Sequence, residues 1–330
     1  MVVDSVVETS MVRVVRITCL AMVLASSAGG VSLNAWNDHG HMMVAFLAYQ
    51  QLSSVPAVKA KVDALVTLNP LISKWNEDVA SLPPDLRPAA LFAIAATWAD
   101  IIKFDDTYRD DGPNRGNRPP PDQSAFANSG YGDKARHKYW HFIDTPFATD
   151  QTALPPVPNP HAVERIPVWR KTLASPTAPQ PLKSYDLMWI LHVVGDLHQP
   201  LHAVTRVSQS QKQGDDGGNG VHLCSAPCND LLHGFWDGIL GDDKDPVGLV
   251  NDAASFAVAN GPNASVLDPK KWADEGVMLA RSDVYRTPIG NGAGPFTVTV
   301  PYIQNAQRLA KERIALAAAR LANILKMDLK

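Results

Sequence analysis

A histidine is followed four residues later by an aspartate inside two segments that are otherwise largely apolar. The segments contain Leu187-Met-Trp-Ile-Leu-His192-Val-Val-Gly-Asp196 and His233-Gly-Phe-Trp-Asp237. Residues four apart on a helix lie about 40° apart around its axis, so each pair points to one side. An apolar helix face indicates burial, and a buried carboxylate is costly unless it is paired or coordinates a cation. One such pair therefore indicates either a structural hydrogen bond in the core or a metal site.

The same residue types recur along the chain, and this recurrence favours the metal site. Further examples are Trp98-Ala-Asp100, Trp140-His141-Phe-Ile-Asp144 and Pro200-Leu-His202. Imidazole and carboxylate ligands without thiolate are typical of catalytic zinc. Two or more zinc ions generate hydroxide from water near neutral pH and stabilise both oxygens of a phosphoryl displacement. The pattern therefore predicts hydrolysis of a phosphate ester.

Composition and charge restrict the class of protein. With 330 residues and 45% hydrophobic content, the chain is long and apolar enough to bury a sizeable core. The 30 Lys and Arg residues against 33 Asp and Glu residues give a formal net charge of -3. This balance excludes the strongly basic surface with which many nucleic-acid-binding proteins neutralise phosphates. Metal cations would supply the positive charge that the surface lacks.

The first 35 residues have the order of a secretory signal. Arg13 and Arg16 precede a short apolar run at 17–25, and small residues follow at 26–30. The run is shorter than the roughly 20 residues that span a bilayer. We therefore expect residues 1–35 to be removed and residues 36–330 to form a secreted or periplasmic domain that is not an integral membrane protein. Cys224 and Cys228 then remain, and their spacing in an exported protein favours a local disulfide over a metal site.

Apolar spacing predicts a mainly α-helical single domain with long loops. Helical periodicity covers residues 38–65, 88–103, 184–198, 229–240, 246–260, 269–285 and 302–328. Polar, proline-rich or glycine-rich stretches at 104–136, 146–160 and 208–219 predict loops, and loops of this length are often functional.

The motifs together resemble the zinc-dependent nucleases of the S1/P1 family and, more distantly, bacterial zinc phospholipase C. The resemblance rests on Trp36-Asn-Asp-His-Gly-His41, Trp98-Ala-Asp100-Ile-Ile-Lys103, Trp140-His141-Phe-Ile-Asp144, His192-Val-Val-Gly-Asp196-Leu-His-Gln-Pro-Leu-His202, Gly217-Gly-Asn219 and Leu232-His233-Gly-Phe-Trp-Asp237. It implies the helical fold shared by these two enzyme types and three zinc ions per chain. It also implies endonucleolytic cleavage of single-stranded DNA and RNA to 5′-phosphate products, with 3′-nucleotidase activity and no stable protein partner.

The resemblance also assigns ligands and substrate contacts. One zinc would be held by Asp100, His141, His192 and Asp196. A second would be held by Asp196, His41 and the amino nitrogen and carbonyl oxygen of Trp36. The third would be held by His202, His233 and Asp237. Asp144 would orient the attacking water with Lys103 in support, Phe142 would stack on a base, and Asn219 would contact a base.

Two alternative functions remain at this stage. Phospholipase C shares most of the zinc ligands. A member of that family would be expected to have a longer gap between the N-terminal Trp and the first His, and a Glu in place of Asp237. A secreted zinc-binding protein without catalysis would need the same ligands but has no use for Lys103 or Asp144.

The remaining histidines are not expected to bind zinc. His198 lies six residues after His192, about 240° around the helix, and should face elsewhere. His137 matches no family position and is expected at the surface. His39 and His222 only lie near ligand segments, and His161 lies in a proline-rich loop.

Overall fold

A computed structural model describes residues 36–224, 230–242 and 245–330 of the protein. The predicted signal segment and Cys228 lie outside the described residues, so cleavage and the disulfide stay predictions. Helices dominate the described part of the chain, which confirms the mainly α prediction. In chain order they are α1 (Asp38–Gln51), α2 (Pro56–Val66), α3 (Ile72–Asp78), α4 (Arg87–Ala95), α5 (Trp98–Phe104), α6 (Ala162–Ala174), α7 (Gln180–Asp196), α8 (Leu232–Asp237), α9 (Pro246–Ala253), α10 (Pro269–Leu279) and α11 (Val300–Asp328).

Several helix boundaries differ from the sequence prediction. The predicted helix at 38–65 is two helices, because Pro56 lacks a backbone N–H and begins α2 at its first turn. The predicted stretch at 88–103 is also divided, between α4 and α5, at Ala96 and Thr97. The helices predicted at 229–240 and 246–260 are shorter, and the one predicted at 269–285 ends at Leu279 and continues as a π-helical turn.

The sequence analysis missed α3 and α6. The latter follows a proline-rich stretch and contains Pro167. Its buried residues Ala162, Ile166, Trp169 and Leu173 nevertheless recur at helical spacing. This spacing was a usable signal for the helix.

Helix α7 is the central element of the fold. Every residue from Ser184 to Asp196 is buried, which accounts for the absence of a polar face in this segment. It packs against α6, α1, α2 and α11, while α1 in turn packs against α11 and α4. Because α7 is enclosed by helices, His192 and Asp196 are held in the protein interior.

A short parallel sheet joins the two loops that carry further candidate ligands. Strands β1 (Thr145–Ala148) and β2 (Val204–Val207) pair with Thr145 opposite Val204. The pairing extends beyond the strands, since the Ile143 N–H donates to the His202 carbonyl oxygen at 2.9 Å. The sheet therefore places His141 and His202 side by side, although they are distant in sequence.

Tryptophans pack behind the candidate ligands. The Trp189 ring stacks on Trp169 with centroids 5.6 Å apart and meets Trp140 edge-on at 5.1 Å. The same ring contacts the edge of His141 at 5.4 Å. These large aromatic contacts fix the back wall of the site. Within the described residues, no helix has both the length and the apolar character that a membrane crossing requires.

Candidate metal centre

Residues from five parts of the chain converge at the C-terminal half of α7. His41 lies on the first turn of α1, Asp100 on α5, and His141 directly after a 3-10 turn at 138–140. Three groups result, in each of which the ligand atoms lie within 4.8 Å of one another. The groups are His41, His192 and Asp196; Asp100, His141 and His192; and His202, His233 and Asp237. All of these residues are buried.

Asp196 lies between the first two groups. Its Oδ1 is 3.3 Å from Nε2 of His41, and its Oδ2 is 3.1 Å from Nδ1 of His141. The same Oδ2 is 3.4 Å from Nε2 of His192, which belongs to both groups. The two carboxylate oxygens therefore face different histidines, as a carboxylate shared by two cations requires.

The third group is built from a short turn and one helix. His233 and Asp237 lie on α8, with 3.4 Å between Nε2 and Oδ2, and Nε2 of His202 lies 3.0 Å from Nε2 of His233. His202 reaches this point from the 3-10 turn Pro200–Ala203.

Backbone carbonyl groups orient three of the imidazole rings. Nδ1 of His192 is 2.7 Å from the Ala96 carbonyl oxygen, and Nδ1 of His233 is 2.7 Å from that of Gly217. Nδ1 of His202 is 3.3 Å from the His141 carbonyl oxygen. An Nδ1–H that donates to a carbonyl leaves Nε2 as the free acceptor, which is the common arrangement around metal-binding histidines.

Burial keeps most of these imidazoles neutral. Desolvation lowers the pKa of His141 and of His202 to about 3, and that of His233 to about 4. The pKa of His192 is instead raised, because the carboxylates of Asp196 and Asp100 outweigh its desolvation. Neutral imidazole is the form that binds a metal.

The donor set fits bound cations. Several inward-facing atoms have no hydrogen-bond partner within the described part of the chain, among them Nε2 of His141, Oδ1 of Asp196 and Oδ2 of Asp237. Unpaired buried groups of this kind are rare and costly in proteins. Cations bound by these nitrogen and oxygen atoms would remove that cost, and the absence of thiolate agrees with catalytic zinc.

The first described residue, Trp36, packs against this centre. A Cβ added to Gly195 would lie 3.0 Å from Nδ1 of His41 and 3.9 Å from Cδ1 of Trp36, so both side chains contact the same point of α7. The Asn37 N–H donates to the carbonyl oxygen of Asp237 at 3.2 Å. The start of the described chain is therefore held between the first and third groups.

A comparison with protein families gives the same assignment. The S1/P1 nuclease family matches residues 36–330. The chain belongs to the S1/P1 nuclease family. No match to a curated protein was found.

In this member of the S1/P1 nuclease family, Phe142 and Asp144 line a pocket beside the candidate metal centre. Its wall also includes Asn117, Arg118, Tyr139 and His161. Burial raises the pKa of Asp144 to about 6, against the lowering effect of the neighbouring Arg118. Asp144 thus faces the same space as the aromatic ring, which favours a contact with bound substrate.

Lys103 and Asn219 are placed near different candidate ligands. Nζ of Lys103 is 2.6 Å from Oδ1 of Asp100, so its ammonium group contacts a candidate ligand directly. Asn219 is half-buried in the 208–219 loop, and its side chain donates to the Asp216 carbonyl oxygen at 2.8 Å. Two residues earlier, Gly217 contacts His233.

The structure corrects the placement of His137. The expected surface position is wrong, because its ring is buried and lies between Asp111 and Asp133. It also stacks on Trp140 with centroids 3.5 Å apart. Asp133 lies only four residues before His137, but Asp111 lies 26 residues earlier, so the sequence around His137 does not indicate that two carboxylates enclose its ring.

The other histidines lie outside the three groups. Both ring nitrogens of His198 are occupied, by the Val194 carbonyl oxygen and by Arg320, which confirms that it faces away. His39 is buried near Asp252, and His222 is exposed. His161 lines the Phe142 pocket, a role that its proline-rich context did not indicate.

Two further residues that the sequence analysis did not single out contact the site. Gln199 binds Asp237, and Arg118 binds Asp144. Gln199 lies within the quoted motif between Asp196 and His202, so its position was a usable signal. Arg118 lies in a long loop of low complexity, where its sequence neighbours carry no such signal.

Proposed function

We propose that this chain is a secreted, zinc-dependent endonuclease that hydrolyses phosphodiester bonds of single-stranded DNA and RNA to 5′-phosphate products. We further propose that it releases phosphate from 3′-nucleotides. The observation that carries the proposal is the convergence of three buried histidine and aspartate groups beside an aromatic pocket. Membership of the S1/P1 nuclease family supports the reaction class.

The proposed zinc ligands are those that the family resemblance implies, and the three groups support most of them. Asp100, His141, His192 and Asp196 hold one ion; Asp196, His41 and the amino and carbonyl groups of Trp36 hold a second; and His202, His233 and Asp237 hold the third. Zinc bound there would supply activated water near neutral pH and positive charge for the phosphoryl oxygens.

The protein's own residues bind and orient the substrate. Lys103, already paired with Asp100, adds a cation close to the reacting phosphate. The resemblance implies that Asp144 orients the attacking water, and its place in the Phe142 pocket also supports a contact with the bound nucleotide. Asn219, on the 208–219 loop, contacts a base.

The Phe142 pocket explains the proposed preference for single strands. An aromatic side chain stacks on a base only when that base leaves its neighbours and exposes a face. A paired base in a duplex must first be unstacked, which costs a few kcal/mol. Single strands are therefore cut faster than duplex.

We also propose that the protein is exported and that removal of the signal exposes Trp36 as the N-terminal residue. The family match begins at Trp36, the expected first residue after removal of the signal. A free amino group at Trp36 can bind a metal, whereas an amide nitrogen is a poor ligand. We also propose a disulfide between Cys224 and Cys228, which would restrain the segment between Asn219 and His233.

One assay tests this function. The protein is incubated with single-stranded DNA, RNA, a 3′-nucleotide and phosphatidylcholine, with and without a chelator. Chelator-sensitive cleavage of the nucleic acids to 5′-phosphate ends supports the proposal. Cleavage of the lipid alone would indicate a phospholipase C, and no hydrolysis of any substrate would indicate a non-catalytic zinc protein.

A further inference from the structure

The loop between α5 and His141 folds back onto the body of the protein through charged contacts. Asp110 pairs with Lys138 at 2.8 Å and with Arg136 at 3.1 Å. Asp111 pairs with His137 at 2.6 Å. Because these partners immediately precede His141, the middle of the loop is held close to the metal centre.

Arg118 extends from this loop into the Phe142 pocket. Its Nη1 donates to Oδ2 of Asp144 at 3.0 Å, and its Nη2 lies 3.8 Å from Oδ1 of Asp216. The Arg118 side chain is 28% exposed and that of Asp144 is 11% exposed, so this contact is partly shielded from water. Asp216 is 66% exposed and adds little.

The backbone around Arg118 leaves it little freedom. Its N–H donates to the Pro113 carbonyl oxygen at 3.3 Å. A Cβ added to Gly112 would lie only 2.0 Å from the Arg118 carbonyl oxygen, so the backbone segments at Gly112 and Arg118 are in direct contact. Three prolines follow at 119–121. Such a loop positions a side chain with a small loss of entropy on binding.

Charged groups surround Asp144 on several sides. Arg118 lowers its pKa, whereas Asp216 and Asp215, from the 208–219 loop, raise it. His161, at the start of α6, lines the same pocket. Arg118 is therefore the residue that offsets both burial and the neighbouring acids.

The Arg118 and Asp144 pair also offers a suitable polar contact for substrate. A guanidinium donor and a carboxylate acceptor lie 3.0 Å apart beside the Phe142 ring. Each base has a donor and an acceptor next to each other on its Watson–Crick edge, and only an unpaired base exposes that edge. A site that reads this pair tolerates every base and excludes duplex.

We propose that Arg118 is a positioning residue of the substrate pocket: its guanidinium group orients the Asp144 side chain toward the edge of an unpaired base. The inference rests on the proposed nuclease function but concerns base recognition alone. Without Arg118, the pKa of Asp144 rises further above 6. The carboxylate then gains a proton near neutral pH and no longer accepts a hydrogen bond with both oxygens.

The test measures binding of adenosine 5′-monophosphate, with inorganic phosphate as the base-free reference. Wild type, Arg118→Ala, Arg118→Lys and Asp144→Asn are compared by calorimetry at about pH 6 and about pH 8.5, on either side of the expected titration. Comparison of each variant with wild type at the same pH cancels the ionisation of phosphate itself. Arg115→Ala is the matched control, because Arg115 is an exposed arginine of the same loop.

We expect Arg118→Ala to lower the preference for the nucleotide over phosphate by about tenfold near pH 6, which is about 1.4 kcal/mol, because the hydrogen bond from the base to an ionised carboxylate is lost. The loss should be smaller near pH 8.5, where Asp144 is ionised again. Asp144→Asn should lose the preference equally at both pH values. Arg118→Lys should recover part of it, and Arg115→Ala should match wild type.

Other outcomes overturn the proposal. An unchanged preference in Arg118→Ala, or a loss independent of pH, would show that Arg118 does not act through Asp144. If Arg118→Ala fails to fold, Arg118→Lys and Arg118→Gln are compared instead. The proposal requires the lysine variant, which keeps a positive charge, to bind the nucleotide more tightly than the glutamine variant does. Absence of phosphate binding in wild type would contradict the nuclease function instead.

Discussion

Gln199 connects two candidate ligands of the third group. Its Nε2 donates to Oδ1 of Asp237 at 2.8 Å, and its Oε1 accepts from the Leu201 N–H in the turn that carries His202. The side chain is fully buried, so water cannot replace it. One amide thus fixes the carboxylate orientation and the shape of the adjoining turn.

We expect Gln199→Leu to weaken zinc binding at this group roughly 10- to 100-fold, the usual effect of removing a residue that orients a ligand. Competition with a chromophoric chelator measures this affinity. Gln209→Leu is the control, because Gln209 is exposed on the nearby loop. Equal zinc affinity in the two variants would show that Gln199 does not stabilise the metal site.

Asp196→Asn should reduce the number of bound zinc ions and the activity more than Asp237→Asn does. Asp196 faces histidines of two groups with its two oxygens, whereas Asp237 belongs to one. Metal analysis of dialysed proteins should give three ions in wild type, fewer in both variants and fewest in Asp196→Asn. One ion or none in wild type would contradict the three-zinc proposal.

Phe142→Ala should raise KM for nucleotides and oligonucleotides, since stacking of a base on an aromatic ring contributes roughly 1 to 3 kcal/mol. A small activated phosphodiester without a base should be affected much less. Kinetics with both substrate types measure the difference. Phe126→Ala is a matched control, because Phe126 is 45% exposed and is not among the residues that line the pocket. A similar effect of both variants would argue against stacking on Phe142.

An extra residue ahead of Trp36 should lower the zinc content and abolish most of the activity. The added peptide bond converts the amino group of Trp36 into an amide, and the buried Trp36 ring leaves little space for rearrangement. Mass spectrometry of the exported protein gives its first residue, and metal analysis of the extended protein gives its zinc content. Full activity with the longer terminus would show that Trp36 does not bind zinc.

His137 should make stability depend on pH. Hydrogen bonds and charge attraction from Asp111 and Asp133 overcome its desolvation and raise its pKa above the ordinary 6.5. A raised pKa in the folded state stabilises the protein below about pH 6.5, and this stabilisation is lost as the pH rises through the folded-state value. His137→Gln should therefore be destabilising by about 1 to 3 kcal/mol near pH 5.5, because it leaves two partly buried carboxylates without their cation.

Urea unfolding of wild type and His137→Gln across this pH range tests the effect. The difference in unfolding free energy should shrink as the pH rises above 6.5. His222→Gln, a change at an exposed histidine, should show no such trend. A difference between wild type and His137→Gln that is constant with pH would mean that His137 is neutral in the folded protein.

The sequence by itself determined the helical class and most of the candidate ligands. Both follow from local rules: apolar periodicity sets a helix, and a spacing of four places His192 and Asp196 on one side of it. The family motifs added His41, Asp100 and His141, which no single helix pattern connects. These features are readable because they depend on neighbours within a few residues along the chain.

The tertiary structure alone decided which of these residues meet and what supports them. His141 and His202 come together through the pairing of β1 with β2, and His137 contacts Asp111, which lies 26 residues earlier. Arg118 reaches Asp144 in the same way, across 26 residues of irregular chain. Such contacts depend on how distant segments pack, and loop closure over such distances leaves no periodic pattern in the sequence from which to infer them.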